Sequence, residues 1–260
     1  MQIEFSKYQG TGNDFILIDN RQGQCDNLSQ SDIQFYCDRR FGIGADGLIL
    51  LENDSKSNFK MVYFNSDGNQ STMCGNGGRC LVAFAKKLNI IENKASFMAI
   101  DGLHHATISE DNSVSLQMKD VDSIKSEINY TFLNTGSPHH IEMVSTISKV
   151  EVKTEGAAIR YGTLYGSAGA NVNFVEQIYE DTFSIRTYER GVEDETLSCG
   201  TGATAVAIAM NFIGKTNSNS IKINVQGGKL EVSFDKNDSL YSNVILKGPA
   251  TFVFQGKINI

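Results

Sequence analysis

At 260 residues, with 40% hydrophobic and 20% charged side chains, the chain has apolar material for one large domain or two smaller ones and too much for a disordered polymer. Its net charge of −7 is spread along the sequence with no Lys/Arg-rich stripe, so nucleic acid is excluded as an expected partner. The longest apolar runs, such as Phe15 to Ile18 and Leu48 to Leu51, are strand-sized and fall far short of the about 20 residues a membrane span needs.

In chain order, the N-terminus "MQIEFSKYQG" lacks the basic and apolar regions of an export signal, so the expected compartment is the cytoplasm. "TGNDFILID" at Thr11 to Asp19 reads as a turn leading into a strand, and "GADGLILL" from Gly44 as another. A β-type run from Phe59 to Asn65 precedes the turn "CGNGGRC" from Cys74, and Leu81 to Leu88 reads as a helix apolar on most faces. A turn follows at Asp101-Gly102. The same series then recurs. "TGSPHHIEM" begins at Thr135, "GANVNFVE" at Gly169, a β-type run spans Phe183 to Arg190, "CGTGATAVAIAM" opens at Cys199, a helix covers Ala203 to Phe212, and a turn falls at Gln226-Gly227.

The four landmarks repeat at offsets of 124 or 125 positions, which makes the chain two copies of one unit. Each copy reads as mostly strands with one buried helix. The expected fold is therefore α+β: two pseudo-symmetric domains, residues 1–120 and 121–260, each a curved, mostly antiparallel or mixed sheet wrapped around a central helix.

Five cysteines are an odd number without the spacing of a disulfide framework, which favours reduced thiols. Cys25, Cys37 and Cys80 read as small buried hydrophobes. Cys74 and Cys199 occupy matched positions in matched copies, each where a glycine-rich turn enters a helix. There the unpaired first-turn amides and the helix dipole stabilise a thiolate and can hold a carboxylate. Gly75, Gly77, Gly200 and Gly202 are expected to let the backbone approach such an anion closely. Two thiols on opposite sides of one bound molecule are what a stereo-inversion requires: one removes the α-proton and the other delivers a proton to the opposite face.

Other signals carry less. "GIGADG" at Gly42 to Gly47 and "GTGATA" at Gly200 to Ala205 fit dinucleotide patterns, but the first leads into the strand-like "LILLE" and the second lacks the acidic residue expected about 20 positions on. The pairs His104-His105 and His139-His140 are poor joint metal ligands, since neighbours on a strand point to opposite faces; no metal is expected. The pair Glu189-Arg190, at a strand end just before the second cysteine turn, suits the ammonium and carboxylate of a zwitterion.

At "GTGNDFILID", "FNSDGNQSTMCGNGGRC", "GSPHHI", "GANVNF" and "YERGVEDETLSCGTGA" the sequence is similar to the diaminopimelate epimerase family from end to end. The resemblance implies interconversion of LL- and meso-diaminopimelate, without pyridoxal phosphate, metal or other cofactor, in a cleft between two domains, with a C-terminal strand from about residue 250 returning to the first domain. It implies Cys74 as base towards the LL substrate and Cys199 as base in reverse. The amides of Gly75, Asn76, Gly200 and Thr201 would hold the reacting carboxylate, with Glu189 near its ammonium. Asn65, Asn171 and Arg190 would recognise the distal end, and Asn13 and His139 would lie close to the reaction centre. Ser137 stands where the family often has Asn, Gly47 where it often has Gln, and the loop after Arg190 is one residue longer. A homodimer is the family expectation. Proline racemases and hydroxyproline epimerases are the alternative among enzymes. Outside enzymes, the alternative is a redox-sensing ligand-binding protein that switches Cys74 and Cys199 between thiols and a disulfide.

Overall fold

The structure, a computed structural model, describes residues 2–71 and 73–259. Met1, Thr72 and Ile260 lie outside the described residues; Thr72 belongs to the motif before Cys74, and Ile260 ends the expected returning strand. The chain divides into two compact units, Met1–Leu116 with Gly248–Ile260, and Gln117–Lys247.

The first unit contains β1 (Gln2–Gly10), β2 (Asn13–Asp19), α1 (Gln30–Cys37), β3 (Gly47–Glu52), β4 (Phe59–Asn65), α2 (Gly75–Lys87), β5 (Lys94–Ala99), β6 (Gly102–Ile108) and β7 (Ser113–Gln117). The second contains β8 (Ile124–Ser126), β9 (Thr131–Asn134), β10 (Pro138–Met143), α3 (Val152–Arg160), β11 (Asn171–Tyr179), β12 (Thr182–Glu189), β13 (Asp194–Thr196), α4 (Gly200–Phe212), β14 (Ser220–Val225), β15 (Gly228–Asn237) and β16 (Leu240–Pro249). The last strand, β17 (Thr251–Asn259), pairs antiparallel with β1 along nearly its whole length.

Duplication is visible in the strand pairing of each unit taken separately. In the first, β1–β2 is antiparallel, β2–β3 parallel, β3–β4 antiparallel, β4–β5 parallel, and β5–β6 and β6–β7 antiparallel. In the second, β9–β10, β10–β11, β11–β12, β12–β14, β14–β15 and β15–β16 repeat that series of senses in the same order. The registers correspond too: Ile16, Leu48 and Phe64 stand side by side in one ladder, and His140, Val172 and Tyr188 in the other.

The unbroken apolar runs of β2 and β3 have a direct cause, since their sheet is covered on both faces. Ile16, Ile18, Leu48, Leu50 and Val62 pack with Ile33, Tyr36 and Cys37 of α1. Phe15, Ile49 and Met61 face the other way, against Gly77 of α2. In the second unit α3 covers one face, its Val152 clustering with Val172, Phe174 and Tyr188, and α4 packs against β9, β10, β11, β14 and β15.

Two helices per unit replace the one that sequence periodicity predicts. Only Ile33, Tyr36 and Cys37 of α1 are buried, and only Val152 and Gly156 of α3, so neither carries the long apolar stripe that announces a helix. The readable sign of α1 was its start, where Ser29 and Asp32 form a reciprocal capping box. α2 and α4 also begin earlier than predicted, at Gly75 and Gly200, because the glycine-rich segments are the first helical turns themselves. Among the described residues no helix is long and apolar enough to cross a membrane.

Gly156 tests how tightly α3 is seated, because a Cβ there would lie 2.4 Å from Cβ of Tyr188, an atom too close to the backbone to swing away. Gly156→Ala gains about 1 kcal/mol in helix propensity but forces overpacking that costs about 1–3 kcal/mol. The expected outcome is a lower urea midpoint; a raised midpoint would show that α3 lifts off freely.

Candidate active site

Each unit ends a loop with a cysteine in extended backbone conformation, Cys74 at φ −99° and Cys199 at φ −121°, and each cysteine is the N-cap of a thirteen-residue helix. N-cap positions favour Ser, Thr, Asp or Asn because their oxygens satisfy first-turn amides. Neither sulfur makes a capping bond, so the positive start of each helix acts on the thiol itself. Eleven residues of each helix are buried, Gly75 and Asn76 in one and Gly200 in the other among them.

Around Cys74 the polar groups form a chain between two charges. Asp14 pairs with Lys7 at 2.7 Å and with Arg39 at 2.6 Å, and Arg39 also pairs with Asp46 at 2.7 Å. Burial by itself would raise the Asp14 pKa, but hydrogen bonds from Arg39 and Lys7 outweigh it and hold the carboxyl at about 2. Asn13 Nδ2 donates to Asp46 Oδ2 at 2.5 Å, and Asn76 Nδ2 donates to Asn13 Oδ1 at 3.3 Å. Cys74 Sγ lies 3.6 Å from that same Oδ1. At the far end, Arg79 is fully buried and donates from Nη2 to Asn76 Oδ1 at 2.9 Å and from Nη1 to the Gly75 carbonyl at 3.4 Å.

A different set surrounds Cys199. Its sulfur is 3.4 Å from Thr201 Oγ1, which is 3.0 Å from His139 Nε2. On its other side the imidazole meets Asn173, whose Nδ2 lies 3.1 Å from His139 Nδ1 and donates to the His140 carbonyl at 3.0 Å. Thr187 donates to Asn173 Oδ1 at 3.0 Å. His139 has no exposure, and burial, helped by the charge of Arg190, pushes its pKa down to about 3, so it is neutral at physiological pH.

The structure thus brings Cys74, Asn13 and Asn76 into one network and Cys199, Thr201 and His139 into another. Asn65 stands exposed at the end of β4, where it pairs with Gly47, the neighbour of Asp46. Asn171 is buried and tied within its own unit: its amide donates to Ser137 Oγ at 2.7 Å and to the Pro138 carbonyl at 3.1 Å, and accepts from the Arg190 backbone at 2.9 Å. Glu189 accepts from the Thr196 hydroxyl at 2.9 Å, and Arg190 donates to the Ala168 carbonyl at 3.0 Å.

At Gly77 and Gly202 the missing Cβ makes room for interior side chains. A Cβ on Gly77 would meet Ile49 Cδ1 at 2.9 Å, and one on Gly202 would meet Asn173 Oδ1 at 2.5 Å and Cys199 Sγ at 3.3 Å. Arg79, Asp46, Asn173 and Thr187 were not picked out by sequence patterns. The available sign was asymmetry: "CGNGGRC" carries Arg79 where "CGTGATA" carries Thr204, a charge with no counterpart in the second motif. Cys25, Cys37 and Cys80 are buried, and desolvation pushes their thiols up to about 11, 12 and 12. His139 and His140, adjacent on β10, serve different neighbourhoods, His140 bonding Tyr165 Oη at 2.7 Å and stacking on Tyr130. Among the described residues no group of three or more His, Cys, Asp or Glu side chains could hold a metal ion.

The family model described as diaminopimelate epimerase matches residues 5–124 and 131–253, nearly the whole chain and both networks. The chain belongs to the diaminopimelate epimerase family. It is 69% identical to the diaminopimelate epimerase of Flavobacterium psychrophilum over 256 residues, covering 98% of this chain and 100% of the relative. It is 42% identical to that of Chlorobaculum tepidum over 259 residues, covering 96% of this chain and 99% of the relative. In fold it is similar to the crystal structure of a phenazine biosynthesis protein of the PhzF family from Bacillus anthracis, with a TM-score of 0.78 at 13% identity and full coverage of both chains. That likeness supports the two-domain α+β class.

Two predictions follow from the geometry around Cys199. Gly202→Ala drives a methyl group into Asn173 and the sulfur, and is expected to cut turnover at least about tenfold, the effect of small displacements in catalytic groups; unchanged kcat would show that this packing does not matter. The second concerns pH. Folded-state pKa values are depressed to about 3 at His139 and about 4 at His140, in both cases first by burial, so the unfolded chain binds protons first as pH falls through about 6.5. Stability is then expected to fall by about 1.4 kcal/mol per histidine for each pH unit down to the folded pKa values. Loss of the Asp14 interactions begins lower, from the carboxylate range towards about 2. Urea midpoints from pH 7 to 5 check this: no decline in the wild type, or the same decline in His140→Gln, contradicts it.

Proposed function

We propose that this chain is an epimerase that interconverts LL-2,6-diaminopimelate and meso-2,6-diaminopimelate in lysine biosynthesis, with Cys74 and Cys199 as its acid–base pair and no cofactor. Family membership and the names of the similar curated proteins support the reaction. The observation that carries the two-thiol reading is the repetition of one arrangement, a cysteine at the N-cap of a buried helix without a capping bond from its sulfur, in each of two equivalent units.

The chemistry follows from what those positions supply. One sulfur, as thiolate, takes the α-proton; the other, as thiol, delivers a proton to the opposite face, so the centre inverts and the proton count of the enzyme is unchanged. Negative charge developing on the substrate carboxylate is stabilised by first-turn amides, those of Gly75 and Asn76 and those of Gly200 and Thr201, fixed in place before the reaction begins. Glu189 accepts the ammonium, and Asn65, Asn171 and Arg190 hold the distal amino-acid end. Asn171 fulfils its part by holding the backbone of Arg190 and the Ser137 hydroxyl. In this reading the enzyme works in the cytoplasm as a homodimer.

Incubation with LL-diaminopimelate in deuterium oxide tests the proposal. The expected result is α-deuterium incorporation with formation of the meso isomer, no exchange with L-proline or trans-4-hydroxy-L-proline, and loss of at least about 10²–10⁴-fold in Cys74→Ala and in Cys199→Ala. Exchange with proline alone would transfer the protein to the racemase alternative. Retained epimerisation in either variant would remove the two-thiol mechanism.

A further inference from the structure

The polar networks beneath the two sulfurs are built from different residues, and their hydrogen bonds run in opposite directions. In the first unit both ends of the network are fixed by charge. Asp46 can only accept and Arg79 can only donate, so the two asparagine amides between them have one consistent orientation. Asn13 turns Nδ2 to Asp46 and Oδ1 to Asn76, and Asn76 turns Nδ2 to Asn13 and Oδ1 to Arg79. Cys74 therefore faces a carbonyl oxygen, which makes a hydrogen bond with the sulfur only when the sulfur holds its proton.

In the second unit the direction is set by a backbone carbonyl. Asn173 Nδ2 donates to the His140 carbonyl and its Oδ1 accepts from Thr187, so the group facing His139 Nδ1 is N–H. Nδ1 must accept, and a neutral imidazole then carries its proton on Nε2, which donates to Thr201 Oγ1. With Oγ1 accepting from Nε2, the hydroxyl proton of Thr201 is available to Cys199 Sγ at 3.4 Å, and a hydrogen bond in that direction favours the thiolate.

We propose that the resting protein holds its two catalytic sulfurs in complementary protonation states, Cys74 as thiol and Cys199 as thiolate, and that Arg79 and Asn173 are the positioning residues that set these directions. The charges around Cys74 act in both directions. The Arg79 guanidinium, on the same helix as Cys74 and Cys80, favours a thiolate, but it stands two amides from the sulfur while Asp46 stands one. Asp14, Lys7 and Arg39 bond to one another and to Asp46. On the other side, burial and, secondarily, the charge of Arg190 keep His139 neutral, and Glu189 is bonded to Thr196.

The repeat comparison supports a built difference. Phe15, Ile49 and Tyr63 hold, in the first unit's ladder, the places that His139, Asn173 and Thr187 hold in the second. Arg79 in turn stands where the second unit has Thr204, whose hydroxyl donates to the Gly200 carbonyl. For catalysis the proposal rests on the two-thiol reading above. The resting enzyme is loaded to remove a proton with Cys199 and deliver one from Cys74; one turnover leaves Cys199 protonated and Cys74 ionised. The opposite isomer meets the disfavoured form.

Thiolate ultraviolet absorbance, titrated from about pH 5 to 9, tests the resting state without turnover. Cys25, Cys37 and Cys80 stay silent there, since burial holds them at about 11, 12 and 12. In Cys74→Ala the remaining signal from Cys199 is expected at least about one pH unit below that of Cys74 in Cys199→Ala, a tenfold difference in proton affinity. Adding Thr201→Val to Cys74→Ala should raise the Cys199 midpoint, and Thr201→Ser should restore it. Equal midpoints, a lower midpoint for Cys74, or no response to Thr201→Val would overturn the proposal. Limiting iodoacetamide on the intact wild type, read by peptide mapping, covers variants that fail to fold: Cys199, only 6% exposed, should label before the more exposed Cys74, and the reverse order contradicts the assignment. A protein that showed the expected midpoints yet no α-proton exchange with diaminopimelate would refute the function and leave this inference standing.

Discussion

An apolar helix buried in its own sheet must still satisfy the amides of its first turn, and in both units of this protein the residue at that point is a cysteine whose sulfur does not do so. Burial supplies the stability, because almost every side chain of α2 and α4 is removed from water. It also supplies the field: with little solvent to screen it, the positive helix start acts on whatever anion sits there. In the proposed mechanism the thiols and the carboxylate-binding amides are thus two uses of one helix start, which the rest of each unit holds in place.

Duplication provided the second copy, and divergence made the copies unequal. The pairing order and register of the strands are kept, so the scaffold tolerates little change in how it presents the cysteine. The side chains directed at α2 and α4 from the sheet are another matter. In the first unit Phe15 and Tyr63 meet edge to face at 6.0 Å beneath α2 and close the space with hydrocarbon. The second unit fills the same ladder positions with a fully bonded polar set, His139, Asn173 and Thr187. A polar cluster in a core is tolerable only when every member is paired, and here Asn173 uses both ends of its amide and His139 both nitrogens.

Charged side chains are linked to both networks through neutral groups. Asp46 and Arg79 reach Cys74 through asparagine amides, and Arg190 bears on the second network through a neutral imidazole. This arrangement suits the proposed mechanism, in which each cysteine is acid in one direction and base in the other. A carboxylate or guanidinium bonded directly to the sulfur would fix one protonation state by several pKa units, whereas an amide or hydroxyl biases it by less.

How much of this was legible before any coordinates is itself a physical matter. Local sequence determined the strands of the β2–β3 type, the two matched cysteine turns, the repeat, and the burial of Cys25, Cys37 and Cys80, because apolar runs, glycine and repeated spacing act over a few neighbouring residues. It also placed His139 and His140 on opposite faces, which follows from the strand period alone. Helices α1 and α3 escaped, since what holds them is packing against a sheet made by residues far along the chain. So did the packing at Gly77 and Gly202, whose missing Cβ atoms make room for Ile49 and Asn173. Only the tertiary structure decided that Arg79 is buried without exposure, that Asp46 reaches Asn13, and that a backbone carbonyl orients Asn173. Hydrogen-bond direction depends on which donors and acceptors meet in space, and no spacing along the chain encodes it.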